Sequence, residues 1–241
     1  MHIAGARVLV TGGARRVGRA LALGLAERGA QVAFTYHHTA DGARETTAAL
    51  AAAGAGGHAI AADLADGHAA ISAVEAAAAM LGGLDVLVHA ASGGFVPADP
   101  LDVEPNLFAE AVGATLTGGF FCAQAARRAM GTSGVIINIT DVAVLEAWPR
   151  FAAHGAAKAG LAHLTRSLAR AFAPDVRVCA VAPGPVLLPE GGSDALNERE
   201  AARTALGRLG SPDDVVGAVA YLIEADFVTG EQLVVDGGHA L

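Results

Sequence analysis

The sequence has little cysteine, little charge and no basic cluster, and each shortage closes off a class of protein. Its only cysteines, Cys122 and Cys179, sit in the apolar contexts FFCAQ and VRVCAVAP. Two thiols in 241 residues build no disulfide framework, so buried free thiols are the expectation. Charged residues make up 17% of the chain and hydrophobic residues 53%, the reverse of a disordered composition. With 16 Lys and Arg against 24 Asp and Glu, the net charge is −8. Such a chain is a poor binder of nucleic acid and is repelled by anionic membrane surfaces. No basic segment with a long apolar core precedes the first apolar run, Arg7–Val10, so no secretory signal is read. The uncharged stretch Ala111–Ala126 is shorter than a membrane span and carries Thr115, Thr117 and Gln124; it reads as a buried helix. His58, His68 and His163 show no ligand-like clustering, and no metal site is expected. A cytoplasmic protein acting on a small molecule follows from these exclusions.

What the sequence has is alternation. Short apolar, β-rich runs predict strands at 7–11, 31–36, 58–63, 86–90, 135–140, 176–182 and 232–235. Longer Ala- and Leu-rich stretches between them predict helices at 17–28, 41–53, 68–81, 106–130, 150–172 and 212–224. Such alternation gives parallel strands joined by right-handed crossovers. The runs are apolar on both faces, as strands covered on both sides should be. No linker or internal repeat breaks the pattern, so 1–241 reads as one domain. Only 184–211 is loop-rich, with a polar helical piece near 197–206. Gly191-Gly192 would serve there as a hinge for a substrate lid.

The first strand runs into Thr11-Gly12-Gly13-Ala14-Arg15-Arg16-Val17-Gly18 and then a helix. Gly12 permits the tight turn and Gly18 the close approach of helix to strand. The helix N-terminus offers free N–H groups to a pyrophosphate. Between a strand and a helix, this spacing signals a dinucleotide site and a Rossmann-type, doubly wound α/β fold of about seven strands. An NAD site places Asp or Glu after the second strand. Here that strand ends Tyr36-His37-His38-Thr39, and no carboxylate follows until Asp41. Arg16, which takes the place of the usual middle glycine, could join His37, His38 and Thr39 around a 2′-phosphate. NADP(H) is therefore expected. Asp63, after the third strand, could accept a bond from an adenine amino group or cap a helix.

With TGGARRVG, AADL at 61–64, IINITD at 136–141, HGAAK at 154–158, VAPGP at 181–185 and VDGG at 235–238, nearly the whole chain resembles the short-chain dehydrogenase/reductase family. Within it the chain is most similar to the pteridine reductase branch, through Arg16, Tyr36-His37-His38-Thr39, and Asp141 where most members have Ser. The resemblance implies a tetramer and hydride transfer between nicotinamide and a carbonyl or imine. It implies a cofactor set of Gly12, Arg15, Arg16, Val17, Gly18, Asp63, Leu64, Ala90, Ala91, Ser92, Thr140, Lys158, Pro183, Gly184 and Val186, together with His37–Thr39. It makes Lys158 the lysine that holds the nicotinamide ribose, and Asp141 a group that orients or protonates substrate.

The proton-handling positions depart from the family. The catalytic Tyr position reads His154, and the chain's two tyrosines, Tyr36 and Tyr221, lie elsewhere. The Asn position on the central helix reads Thr115, and the turn after the fourth strand reads His89-Ala90-Ala91-Ser92. Either His154 is the general acid, or the chain holds NADP(H) without turnover. On the substrate side, Ser92, Asp141, Trp148, Leu187 and Leu188 would line an apolar pocket. Phe95 either stacks on a flat substrate or fills the core beneath a loop. A pteridine leads among substrates, and a ketone or 3-oxoacyl group is the alternative.

Overall fold

The computed structural model describes residues 1–187 and 193–241. Within it, β1 (Arg7–Thr11), β2 (Gln31–Tyr36), β3 (Gly56–Ala61), β4 (Val86–His89), β5 (Gly134–Ile139), β6 (Val176–Pro183) and β7 (Gln232–Val235) form one sheet. Every pairing is parallel, and the strand order is β3-β2-β1-β4-β5-β6-β7. This is the expected doubly wound Rossmann-type sheet of seven strands. The chain order reverses between β1 and β4, and the ligand crevice of such a sheet opens outside the carboxyl ends of those two strands.

Alternating side chains feed two separate cores. Val8 and Val10, Val86 and Val88, Val135 and Ile137, and Cys179 and Val181 point to one face. Leu9, Leu87, Ile136 and Val178 point to the other. The first face is covered by α1 (Arg16–Ala26), α2 (Ala40–Ala52) and α8 (Pro212–Glu224). The second is covered by α3 (Gly67–Leu81), α5 (Gly118–Ala129) and α6 (Ala152–Phe172). Strands buried on both sides carry continuous apolar runs for this reason. The edge strands β3 and β7 are half exposed. Cys122 and Cys179 are buried and free, and burial pushes the Cys122 thiol up to about 12. Among the described residues no helix is long and apolar enough to cross a membrane.

Three expectations need correction. The single helix expected over 106–130 is α4 (Pro105–Val112), a π-helical turn at Gly113–Thr117, and then α5. The helix is tightly packed where α5 begins: a Cβ on Gly118 would lie 2.8 Å from the Leu64 carbonyl oxygen, and one on Gly119 2.8 Å from Leu161 Cδ1. The third strand starts and ends two residues earlier than expected, because the chain turns at Asp63, whose Oδ1 accepts from Ala65 N at 3.0 Å. The polar helix is α7 (Asp194–Arg203), starting before the expected 197 because Ser193 caps it through Leu196 N. Leu188 and the hinge pair Gly191-Gly192 lie outside the described residues.

Phe34 ties the fold to the crevice. It is fully buried in β2, and a Cβ on Gly13 would stand 2.6 Å from its own Cβ. Phe34→Ala should lower the unfolding free energy by about 3–5 kcal/mol. Urea denaturation checks this, with a fall in midpoint and an unchanged slope expected.

Candidate active site

The crevice is built from the carboxyl ends of β1, β4 and β5. Gly12, just after β1, has φ +68°, and a Cβ there would lie 2.9 Å from Ala91 Cα. A Cβ on Gly18 would lie 2.2 Å from the Gly12 carbonyl oxygen. The two glycines leave a cradle that side chains would fill. Helix α1 then starts with no side-chain cap and no acid in its first turn, so the end of its dipole is left for an anion in the crevice. Gly12 N and Gly13 N donate to Thr35, to Oγ1 at 3.1 Å and to the carbonyl at 3.0 Å. This turn fits a dinucleotide pyrophosphate.

Arg16 has φ +50°, and its Nη2 donates to the Leu187 carbonyl at 2.5 Å. Leu187 follows β6, on the opposite side of β1 from the end of β2. The Arg16 guanidinium thus makes a contact on the β6 side of the crevice. Arg15, His37 and His38 are all exposed, and the two imidazoles lie 3.6 Å apart between centroids. Thr39 heads α2 without a side-chain cap. Asp63 caps no helix; that role falls to Asp66, which accepts from His68 N and Ala69 N. Asp63 Oδ1 is 3.8 Å from His37 Nδ1. The carboxylate after β2, Asp41, pairs with Arg44.

Leu64 and Thr140 have their side chains engaged within the protein. The Leu64 side chain is buried in the core, which leaves only its backbone for a cofactor. The Thr140 hydroxyl is held by the Val181 carbonyl at 3.0 Å and Gln232 Oε1 at 2.9 Å, so it ties β5 to β6 and β7. Val17 and Val186 pack against the first core. Pro183 ends β6, and Gly184 lies against Asp236.

The β4 turn is fixed by a chain of hydrogen bonds. Thr11 Oγ1 accepts from Ala90 N and Ala91 N, both at 3.1 Å. Its own hydrogen goes to His89 Nδ1, 2.9 Å away. The neutral His89 ring then carries its proton on Nε2, which donates to the Thr115 carbonyl at 3.0 Å. Desolvation pushes His89 down to about 4, so the ring is neutral at pH 7. Thr115 Oγ1 lies 3.2 Å from Ser92 Oγ. Sequence reading had noted His89 only as a departure. Its role was legible only as a polar residue ending a buried apolar strand.

The site proper lies beyond β5. Asp141 Oδ1 accepts from Ala143 N at 2.8 Å, which caps a 3₁₀ turn at Val142–Val144. Its Oδ2 stands 3.4 Å from His154 Nε2. His154 is buried at 4% exposure, and its Nδ1 has no partner. One helical turn later, Lys158 Nζ donates to the Ile139 carbonyl at 2.7 Å. Burial lowers the Lys158 ammonium to about 8, against the opposing pull of Asp141. Phe95 is half exposed, stacked on Phe151 at 4.5 Å and edge-on to His154 at 4.8 Å. It is no core filler. Trp148 meets Phe151 at 6.2 Å and donates Nε1 to Glu146 Oε2 at 2.6 Å.

Residues 12–240 match the family described as Enoyl-(Acyl carrier protein) reductase. The chain belongs to the short-chain dehydrogenase/reductase family. Among relatives, an L-rhamnose 1-dehydrogenase (NAD(P)(+)) of Azotobacter vinelandii is 36% identical, over 96% of this chain and 95% of its own. The 3-oxoacyl-acyl-carrier-protein reductase FabG of Staphylococcus aureus is 34% identical, over 95% of this chain and 96% of its own. A short chain dehydrogenase from Burkholderia cenocepacia, solved in complex with NADP, superposes with TM-score 0.92 at 32% identity, each chain covered in full.

The depressed Lys158 ammonium makes a stability prediction for this family member. Between about 8 and the ordinary 10.5, the unfolded chain holds a proton that the folded chain has lost. Stability from this group therefore rises with pH across that window. Wild type should gain stability relative to Lys158→Met as pH goes from 8 to 10.5, read by thermal melts of both proteins.

Proposed function

We propose that this chain is an NADP(H)-dependent oxidoreductase that reduces a small carbonyl or imine, with His154 in place of the family tyrosine as proton donor. The observation that carries the reading is His154 itself. One of its ring nitrogens faces Asp141 and the other is buried without a partner, one helical turn before Lys158. A base oriented by a carboxylate, with one nitrogen free, is the arrangement that acid–base catalysis requires.

When bound, the nicotinamide supplies the hydride. The glycine turn and the α1 N-terminus hold the pyrophosphate. Arg15, His37, His38 and Thr39 take the 2′-phosphate, and the Lys158 ammonium holds the ribose. Asp141 keeps the His154 ring turned so that Nδ1 gives its proton to the substrate oxygen or nitrogen. Ser92 and Thr115 orient the substrate, and Phe95, Trp148 and Leu187 enclose it. The chain assembles as a tetramer. The exposed Leu101, Phe108 and Phe227 supply apolar surface for assembly. For the substrate, the half-exposed Phe95 beside His154 favours a flat ring such as a pteridine. A 3-oxoacyl group is the alternative, favoured by the similarity to the Staphylococcus aureus reductase.

Two measurements follow. Turnover of NADPH with dihydropterin, 3-oxoacyl and small ketone substrates should fall about 10²–10⁴-fold in His154→Ala, while NADPH affinity holds. Wild type equal to Ala, with His154→Tyr faster than both, would leave a cofactor-binding protein whose proton donor is lost. In fluorescence titrations NADPH should bind more tightly than NADH. Arg15→Ala should weaken NADPH about 10–100-fold, as loss of a charge-assisted bond does, and NADH far less. Equal losses would remove Arg15 from the phosphate site.

A further inference from the structure

The end of the chain folds back onto the rim of the site. After β7, Asp236 accepts from Gly238 N at 2.8 Å and Ala240 N at 2.9 Å. This turn delivers His239 inward, with its side chain only 2% exposed. His239 Nδ1 lies 3.0 Å from Glu146 Oε1, and Nε2 lies 3.5 Å from Glu200 Oε2. A carboxylate only accepts, so Nδ1 donates to Glu146, and Nε2, buried without a hydrogen-bond partner among the described residues, faces the Glu200 carboxylate at ion-pair distance. Glu146 follows β5 and takes the Trp148 indole N–H on its other oxygen. Glu200 projects from α7, where Arg199 at 2.8 Å and Arg203 at 3.1 Å hold it. Arg203 also reaches Glu146, at 3.6 Å. The remaining neighbour on its own segment is the Asp236 carbonyl, which accepts from His239 N at 3.2 Å.

We propose that His239 is a positioning residue for the substrate side of the site. Packed between Glu146 and Glu200, it joins the segment that carries Trp148 to helix α7. The effect reaches His154 through three rings, since Trp148 meets Phe151, Phe151 stacks on Phe95, and Phe95 stands against His154. Removing the ring breaks the bond to Glu146 and leaves Arg203 alone to link Glu146 with Glu200, and α7 loosens. The proposal rests on reading Trp148 as a substrate-side residue, but its test needs no turnover.

Trp148 is the chain's one tryptophan, so its emission reports the cluster directly. In the purified protein at pH 7, the emission maximum should shift in His239→Gln and hold in His154→Gln, which separates the strut from the His154 site. Amide exchange over 194–203 at pH 6 should rise about tenfold in His239→Gln, as loss of one charge-assisted bond predicts, with the central strands unchanged. Should that variant fail to fold, Glu200→Gln keeps size and an acceptor and should raise the same exchange. An emission spectrum identical in wild type and His239→Gln, or unchanged exchange over 194–203 in the folded variant, overturns the proposal. Loss of reductase activity alone would count against the functional reading and not against the strut.

Discussion

The Thr11 hydroxyl meets three groups at once, and the crevice is organised around it. It accepts the two amides that begin the turn after β4 and hands its own hydrogen to His89. Thr11 and His89 are fully buried, so breaking the bond between them leaves a polar group unpaired at a cost of about 1–3 kcal/mol. The same hydroxyl thereby fixes the proton on the His89 ring, and through it the place of the Thr115 carbonyl. The backbone of Ala90 and Ala91 is pressed against Gly12, so the dinucleotide turn and the substrate side share one joint. A short-chain dehydrogenase must bring those two surfaces to one point, and here a single side chain spaces them.

The acid–base groups are set by burial as much as by contact. Lys158 is taken out of water and bound to a carbonyl, which weakens its hold on a proton, and Asp141 pulls the other way. Asp141 serves two masters, a backbone amide through one oxygen and His154 through the other. That division holds the carboxylate still and leaves the other ring nitrogen, Nδ1, buried without a hydrogen-bond partner among the described residues.

Much of this was legible in the sequence because it depends on local chemistry. The glycine spacing, the apolar runs and the His154/Lys158 pair announce the sheet, the turn and the dyad. What was hidden depends on partners distant in the chain. His89 lies in an apolar run, and nothing local says that it meets Thr11 and Thr115. The break in the central helix is written in Gly113, Gly118 and Gly119, but a glycine inside a helical pattern does not say which neighbour it makes room for. Arg16 stands in the dinucleotide turn, and nothing local says that its long side chain reaches the Leu187 carbonyl after β6. Glu146, Glu200 and His239 belong to three separate segments, and only the fold assembles them.

The π-helical turn at Gly113–Thr117 makes this part of the chain sensitive to counting. Such a turn closes its hydrogen bond one residue later than an α-helix does. Removing a residue there would restore an ordinary helix with its flanks nearly in phase, because the wide turn absorbs one extra residue. What would be lost is the wide turn itself, and with it the placement of the Thr115 carbonyl on the His89 ring. The segment can exchange side chains of similar size and still work, but its length is fixed. Variation in this helix is therefore confined to its letters, and insertions and deletions are excluded.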